Sequence, residues 1–422
     1  MTERGNVITR RQAVALLPLV PWAVRLAAQP APARVRRVFP GYDHELILDS
    51  DGTLKVWSSA QMPNASGEMG LGHFDPVEKY KLFAIPGLSK VVTAAAGSGS
   101  SFAVLADGRV MAWGTRSRGI LGITPLAEVE VSAQARPNVN TPTPVAVRFD
   151  AVDLSVGTDH VLALARDGTV WSWGYGEKGQ LGIGPLPIIN FKTHTPAAMT
   201  FVPFPVQIPG LTDIIAVAAG DDHSMALKRD GTIFTWGGNK SGQLGDGTTV
   251  DRTTPAPVRG IGKVIAIAAD SFSVAVLADG RALSWGYASG GSLGRPPFGG
   301  LGKPSPVPTL VPGVAGARTI SASVATVVAL TQAGTVISWG WNPYGEAGQG
   351  IAFSQTVGLP AGPVKGLTGV DSVVTRSAHG VAVLKDGRIM VWGRTPPHKT
   401  AAGERDYSHA PIPLVINGLE NR

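Results

Sequence analysis

One short pattern recurs seven times along the chain: Asp-Gly, four residues, then tryptophan. The Gly/Trp pairs are Gly52/Trp57, Gly108/Trp113, Gly168/Trp173, Gly231/Trp236, Gly280/Trp285, Gly334/Trp339 and Gly387/Trp392, and only Ala333 breaks the Asp-Gly rule. Successive tryptophans lie 56, 60, 63, 49, 54 and 53 residues apart. A repeat of that length marks a chain of like supersecondary units, none of which hides its apolar face alone. A second mark, Leu-Gly, follows at Leu121-Gly122, Leu181-Gly182, Leu244-Gly245 and Leu293-Gly294; Ala347-Gly348 is a weaker copy, and Leu71-Gly72 and Ala402-Gly403 are looser ones.

Asp-Gly between two apolar runs reads as a hairpin turn, because glycine accepts the positive φ such turns need. The strand after it alternates, with Phe234 and Trp236 on one side and Ile233 and Thr235 on the other. Neither side is plainly polar, so both faces of each sheet must be covered. Radial packing does that, the large face of one sheet meeting the small face of the next. Seven buried indoles would contribute on the order of 2–3 kcal/mol each. A Pro-x-Val segment closes several units, as at Pro144-Val145, Pro205-Val206 and Pro257-Val258. Proline suits an edge, so this is the outer strand. The expectation is an all-β, seven-bladed β-propeller with about four antiparallel strands per blade, spanning 34–422.

The stretch "AGDDHSMALKRDGTIFTWGGNKSGQLGDG" (219–247) resembles the repeat of the regulator of chromosome condensation family. The resemblance covers nearly all of the chain after the leader and implies a seven-bladed propeller. It implies several functions. One is guanine-nucleotide exchange, the role of the founding member. Another is protein binding outside the cytoplasm, as in a secreted bacterial member that inhibits a β-lactamase. The Gly-Trp-Arg-His-Thr motif of the plant ultraviolet-photoreceptor branch is absent.

Residues 1–33 read as an export signal. Thr9-Arg10-Arg11-Gln12 precedes an apolar run from Ala13 to Val24, and Ala31-Pro32-Ala33 offers a small-residue cleavage site. The adjacent arginines are twin-arginine-like, although Ala13 replaces that signal's usual phenylalanine. A transmembrane helix needs about 20 apolar residues; this run is shorter and broken by Pro18 and Pro21. A periplasmic or secreted location follows, with no stable membrane insertion, and argues against nucleotide exchange. The net charge is +7, of which the leader carries four arginines against one glutamate, so +4 remains for the propeller. That is mild and gives no reason to expect nucleic-acid binding.

The residues offer little chemistry. Cysteine is absent, which excludes disulfides and thiolate sites. No H-E-x-x-H, G-x-S-x-G or P-loop motif occurs. His44, His160, His223 and His379 share one repeat position, with Ser100, Phe272 and Thr326 as equivalents. A structural role, such as donation to a neighbouring loop, suits them better than metal binding. The Asp-Gly aspartates suit turn capping. No pair of catalytic carboxylates is evident; Asp221 and Asp222 are adjacent and should point apart. Neither a metal nor a cofactor is expected.

The loop after each tryptophan is more informative. Two residues on stand Ser59, Thr115, Tyr175, Gly238, Tyr287, Trp341 and Arg394. Tyr175, Tyr287 and Trp341 on one rim, with Arg116, Arg118, Tyr344 and Arg394, favour protein recognition or sugar stacking. The alternative is that each ring lies flat on its own blade. Two long insertions, Ile123–Thr141 and Ile183–Phe204, follow Leu-Gly marks; Phe191, Phe201 and Phe204 make the second apolar. The expectation is a non-catalytic, monomeric scaffold that binds an extracytoplasmic protein. The alternative is a glycan-binding protein or a polysaccharide-active enzyme.

Overall fold

A computed structural model describes residues 35–42, 44–58, 63–78, 81–123, 138–186, 200–298, 302–351, 358–376 and 379–394, with backbone alone for 35–36, 398–399, 405–406 and 410–415. The leader, Phe191 and Ala402-Gly403 lie outside the described residues.

The chain builds seven four-stranded antiparallel sheets, six of them from four consecutive strands; in the seventh a two-stranded hairpin, 398–399 with 405–406, intervenes before the outer strand. Blade 4 is typical: an inner strand Ile214–Ala219, a second His223–Lys228, a third Ile233–Gly237 and an outer Arg252–Pro257. Blade 1 runs from Val35–Pro40 to a two-residue outer strand, Phe83–Ala84. Blade 7 begins at Val370–Arg376 and ends at Ala410–Val415. The proline-bearing segments are the outer strands, where a missing N–H costs no ladder bond.

Each seam between blades holds its own apolar cluster. Between blades 3 and 4, Trp236, Ala219 and Ala226 pack against Leu162, Leu164, Val170 and Ile208. The seam between blades 7 and 1 joins Val381, Val383 and Val391 to Val38, Ile47 and Trp57, which closes the ring. The large face of one blade meets the small face of the previous one, and six of the seven repeat indoles are completely buried.

A polar clasp accompanies each of the six completely buried indoles. Trp236 Nε1 donates to the Gln180 carbonyl at 2.9 Å, and Trp285 Nε1 to that of Gln243 at 2.8 Å. Two residues beyond each carbonyl comes the Leu-Gly glycine, whose backbone lies on the indole edge. A Cβ at Gly182 would stand 2.7 Å from Trp236 Nε1, closer than real Cβ atoms come. In blade 1 this role belongs to Met69-Gly70, not Leu71-Gly72: Trp113 Nε1 donates to the Glu68 carbonyl, and Gly70 faces the Trp113 ring.

The repeat histidines complete the clasp. His160 Nε2 meets Ser224 Oγ of the next blade at 2.9 Å, and that hydroxyl donates to the Gln180 carbonyl at 2.8 Å. His44–Ser101 (2.6 Å) and His223–Ser273 (2.7 Å) repeat the arrangement. His379 faces Glu45 at 2.9 Å across the closing seam, although the alignment is not that of a hydrogen bond. Where the histidine is replaced, its neighbour loses polarity too: Ser100, Phe272 and Thr326 precede Val161, Val327 and Gly380 in the following blades. The histidine thus serves the next blade's second strand rather than a loop. Burial pulls its pKa down, to about 4 in His44 and His223 and about 3 in His160.

Candidate binding site at the channel mouth

Alternation of strand direction puts two sets of loops on one rim: those from inner to second strand, and those from third to outer strand. The Asp-Gly turns occupy the other rim. On the loop rim the axial channel opens into a cavity of about 490 Å³. Its wall draws on all seven blades: Tyr42, Ser98, Thr158, Asp221, Asp270 with Tyr287, Val324 with Trp341, and Arg376. Arg376 also lines the channel below, beside Arg37 and Asp371, so it is shared by the mouth and the channel.

The inner loops are tied to one another. Tyr42 N–H donates to the Gly97 carbonyl at 3.1 Å, and Asp221 N–H to that of Asp270 at 3.0 Å. Asp270 acts as a clamp. Its Oδ1 accepts the Ser271 N–H at 2.7 Å and its Oδ2 the Val324 N–H at 3.0 Å. Val324 and Ala325 both hold positive φ, +44° and +74°. That is an uncommon conformation for residues with a Cβ and a true outlier for a β-branched one. The Asp270 carboxylate bonds directly to this turn, and Val324 stands 45% exposed in the mouth.

Asp221 faces this clamp. Its Oδ1 accepts the Thr158 hydroxyl at 3.0 Å. Its pKa is pushed up to about 6, by desolvation in the mouth first and the Asp270 carboxylate second; Thr158 and Arg376 pull it back. The side chain still presents surface to the water of the mouth, which moderates the desolvation. Asp222, beside it, is also raised, by desolvation first, with Asp159, Asp251 and Glu177 adding to the rise and Lys178 opposing it.

Of the residues expected on the rim, Tyr287 and Trp341 meet in this cavity. Trp341 is half-buried against Gly290 of the preceding blade. Tyr175 lies elsewhere: its hydroxyl bonds to Glu177, and the Arg118 guanidinium sits 4.7 Å above its ring while pairing with Asp159. Tyr344, 38% exposed, rides a loop whose N–H donates to Glu346. Arg116 N–H donates to Asn138 Oδ1, and Arg394 is exposed where the third strand of blade 7 ends. Phe201 and Phe204 belong to the outer strand Phe201–Gln207, not to an apolar loop; both are half-buried, and Phe201 packs towards Gly119 of blade 2.

The sequence reading passed over Tyr42, Asp270 and Arg376, and Asp221 entered only as an adjacent partner of Asp222; all four stand in or beside the loops from inner to second strand. Their signal was positional. Six of the seven repeats place a mouth residue two positions ahead of the second strand, behind a glycine in blades 1–4, and its identity varies from blade to blade. Among the described residues no group of three or more His, Asp or Glu side chains is arranged to hold a metal.

A closed ring of seven like sheets, with its varied side chains collected around one end of the axis, defines a seven-bladed β-propeller. The chain belongs to the RCC1-like domain family, whose model matches residues 19–357. Among its relatives, protein pim1 of Schizosaccharomyces pombe is 31% identical over 229 residues, 52% of this chain and 40% of that protein. The probable E3 ubiquitin-protein ligase HERC6 of Homo sapiens is 34% identical over 331 residues, 76% of this chain and 25% of that protein. The chain thus spans less than half the length of these relatives. The crystal structure of Prp20p from Saccharomyces cerevisiae superposes with a TM-score of 0.66 over 82% of each chain at 24% identity, which shows the shared fold.

Proposed function

We propose that this chain is an exported, non-catalytic scaffold that binds a protein partner through the loop rim around the channel mouth. The convergence of Tyr287 and Trp341 on one open cavity, beside exposed Tyr42, carries the reading. Aromatic side chains over a concave, rigid base are typical anchors of protein interfaces. The relatives support a binding role: the Prp20p structure was described together with its binding to Gsp1p and histones. Export rests on the leader, Arg10-Arg11 ahead of an apolar run and Ala31-Pro32-Ala33 after it.

A polysaccharide-active site would use two carboxylates flanking the scissile bond. The mouth does hold two, but Asp270 spends both oxygens on backbone N–H groups. That leaves Asp221 without an opposing free carboxylate and favours binding over hydrolysis.

Site-specific photo-crosslinking tests the reading. A crosslinker at Ser289 on the mouth and one at Thr169 on the opposite rim are compared in envelope fractions of the producing cell. The expected result is a partner trapped from Ser289, not from Thr169, and lost in Trp341→Ala. Trapping from Thr169 alone would refute the assignment of the rim. Mass spectrometry of the purified chain should show a new N-terminus near Arg34; an intact Met1 or Thr2 would remove the export claim.

A further inference from the structure

Building on the rim reading, we propose that the mouth receives a basic side chain of the partner protein, a lysine or arginine that enters along the axis beside Asp221 and between Tyr42, Tyr287 and Trp341. The cavity comes first: about 490 Å³, open to solvent and far larger than one side chain needs. Its walls come second. Tyr42 is 49% exposed, and Tyr287 and Trp341 are half-buried, so the pocket offers ring surface on which a cation is attracted. The hydroxyls of Ser98, Thr158, Ser271, Ser289 and Ser323 supply acceptors.

Charge comes third. The chain carries net +7 overall, yet the mouth and its flank over blades 3 and 4 hold Asp221, Asp222, Asp270 and Glu177 against two cations, Lys178 and Arg376. Arg118, Lys240 and Arg252 are committed to Asp159, Asp251 and Asp246. The groups facing Asp221 are Asp270 from blade 5, Asp222 from its own loop, Thr158 from blade 3 and Arg376 from blade 7. Asp221 and Asp270 repel one another, and Arg376 relieves that repulsion only in part. An incoming ammonium or guanidinium group would relieve the rest. An anionic ligand would meet the opposite field.

Linkage makes the idea testable. A cation that prefers ionised Asp221 must lower the pKa of that carboxyl, and its affinity must fall as Asp221 takes up a proton. The probe is a fluorescent pentapeptide with a central lysine flanked by glycines, compared with arginine, norleucine and glutamate versions and followed by anisotropy at low salt. The lysine and arginine peptides should bind at least tenfold more tightly than the norleucine peptide at pH 7.5. That advantage should shrink severalfold between pH 7 and pH 5. Asp221→Asn, which keeps the shape and an acceptor for Thr158, should abolish both the advantage and its pH dependence without lowering Tm. Tyr42→Ala should weaken the basic peptides a fewfold.

Equal binding of norleucine and lysine, an unchanged affinity in Asp221→Asn, or no binding of any peptide would overturn the cation pocket. The rim reading fails on a different result, crosslinking confined to Thr169, so the two failures are separable.

Discussion

The two rims of this ring are made by the same repeat and obey different rules. On the turn rim, six aspartates each accept the N–H two residues on, as Asp167 does from Thr169 at 2.9 Å and Asp230 from Thr232 at 2.8 Å. Where Ala333 removes the carboxylate, Thr331 Oγ1 takes over, accepting the Thr335 N–H at 3.2 Å. On the loop rim, the position two before the second strand is tyrosine, serine, threonine, aspartate or valine from blade to blade. One rim repeats because every turn must satisfy the same backbone groups. The other varies because its loops close the same geometry with main-chain bonds, leaving side chains free to differ. Uniformity marks what the ring needs to exist, and divergence marks where a partner could be read.

The largest effect that would break this comparison lies between the rims. Trp236→Ala removes a completely buried indole and one of the two donors to the Gln180 carbonyl, which keeps the Ser224 hydroxyl. We expect a loss of about 3–5 kcal/mol, measured by urea unfolding. A loss under about 1 kcal/mol would mean that the seam does not hold the ring.

The next effect concerns the histidine clasps. A buried imidazole with a lowered pKa binds fewer protons folded than unfolded. Its stabilisation is complete above about pH 6.5 and is lost as pH falls towards 4. Each such histidine contributes a slope of up to about 1.4 kcal/mol per pH unit in that window. The seam between blades 5 and 6 shows an apolar solution, Phe272 with Val327. Transplanting it as His160→Phe with Ser224→Val should keep Tm at pH 7.5 within a few degrees and flatten the acid limb. An acid limb as steep as before would show that other groups set it.

How much of this was legible follows from where each constraint acts. The tryptophan period, the outer-strand prolines and the turn aspartates are local or strictly periodic, so the sequence displayed them. The Met69-Gly70 clasp was misplaced because the loop after Trp57 is four residues longer than in the regular units, which shifts the mark out of its period. The pairing of Asp221 with Asp270 was invisible because the partners stand one blade apart and the blade 5 loop is one residue shorter. The histidine clasp was readable in principle. Each histidine predicts the polarity of a residue about one repeat later, a correlation that appears only when neighbouring repeats are compared as pairs.

A smaller effect belongs to the turn rim. Asp167→Ala removes one exposed cap, and Thr169 can turn to water instead. A fall in Tm of about 2 °C or less is expected by calorimetry. A large fall would contradict the view that these aspartates are interchangeable, as the Thr331 substitute suggests they are.

The effect that most sharpens the contrast between rims is that of Trp341→Ala, small in stability and large in binding. This indole is a tryptophan like Trp236, yet its ring is half-buried and rests against Gly290 rather than within a seam. Its backbone carries the local structure, since the Trp341 N–H donates to the Ala325 carbonyl at 2.9 Å and its carbonyl accepts the Thr326 hydroxyl at 3.1 Å. Truncation keeps both bonds and opens the mouth to water that is already there. The cost in urea should stay below about 1.5 kcal/mol, while capture of the partner at Ser289 falls at least tenfold. If both tryptophans cost the ring alike, Trp341 is a core residue that happens to sit at the rim, and the division between a rim that builds and a rim that binds loses its best witness.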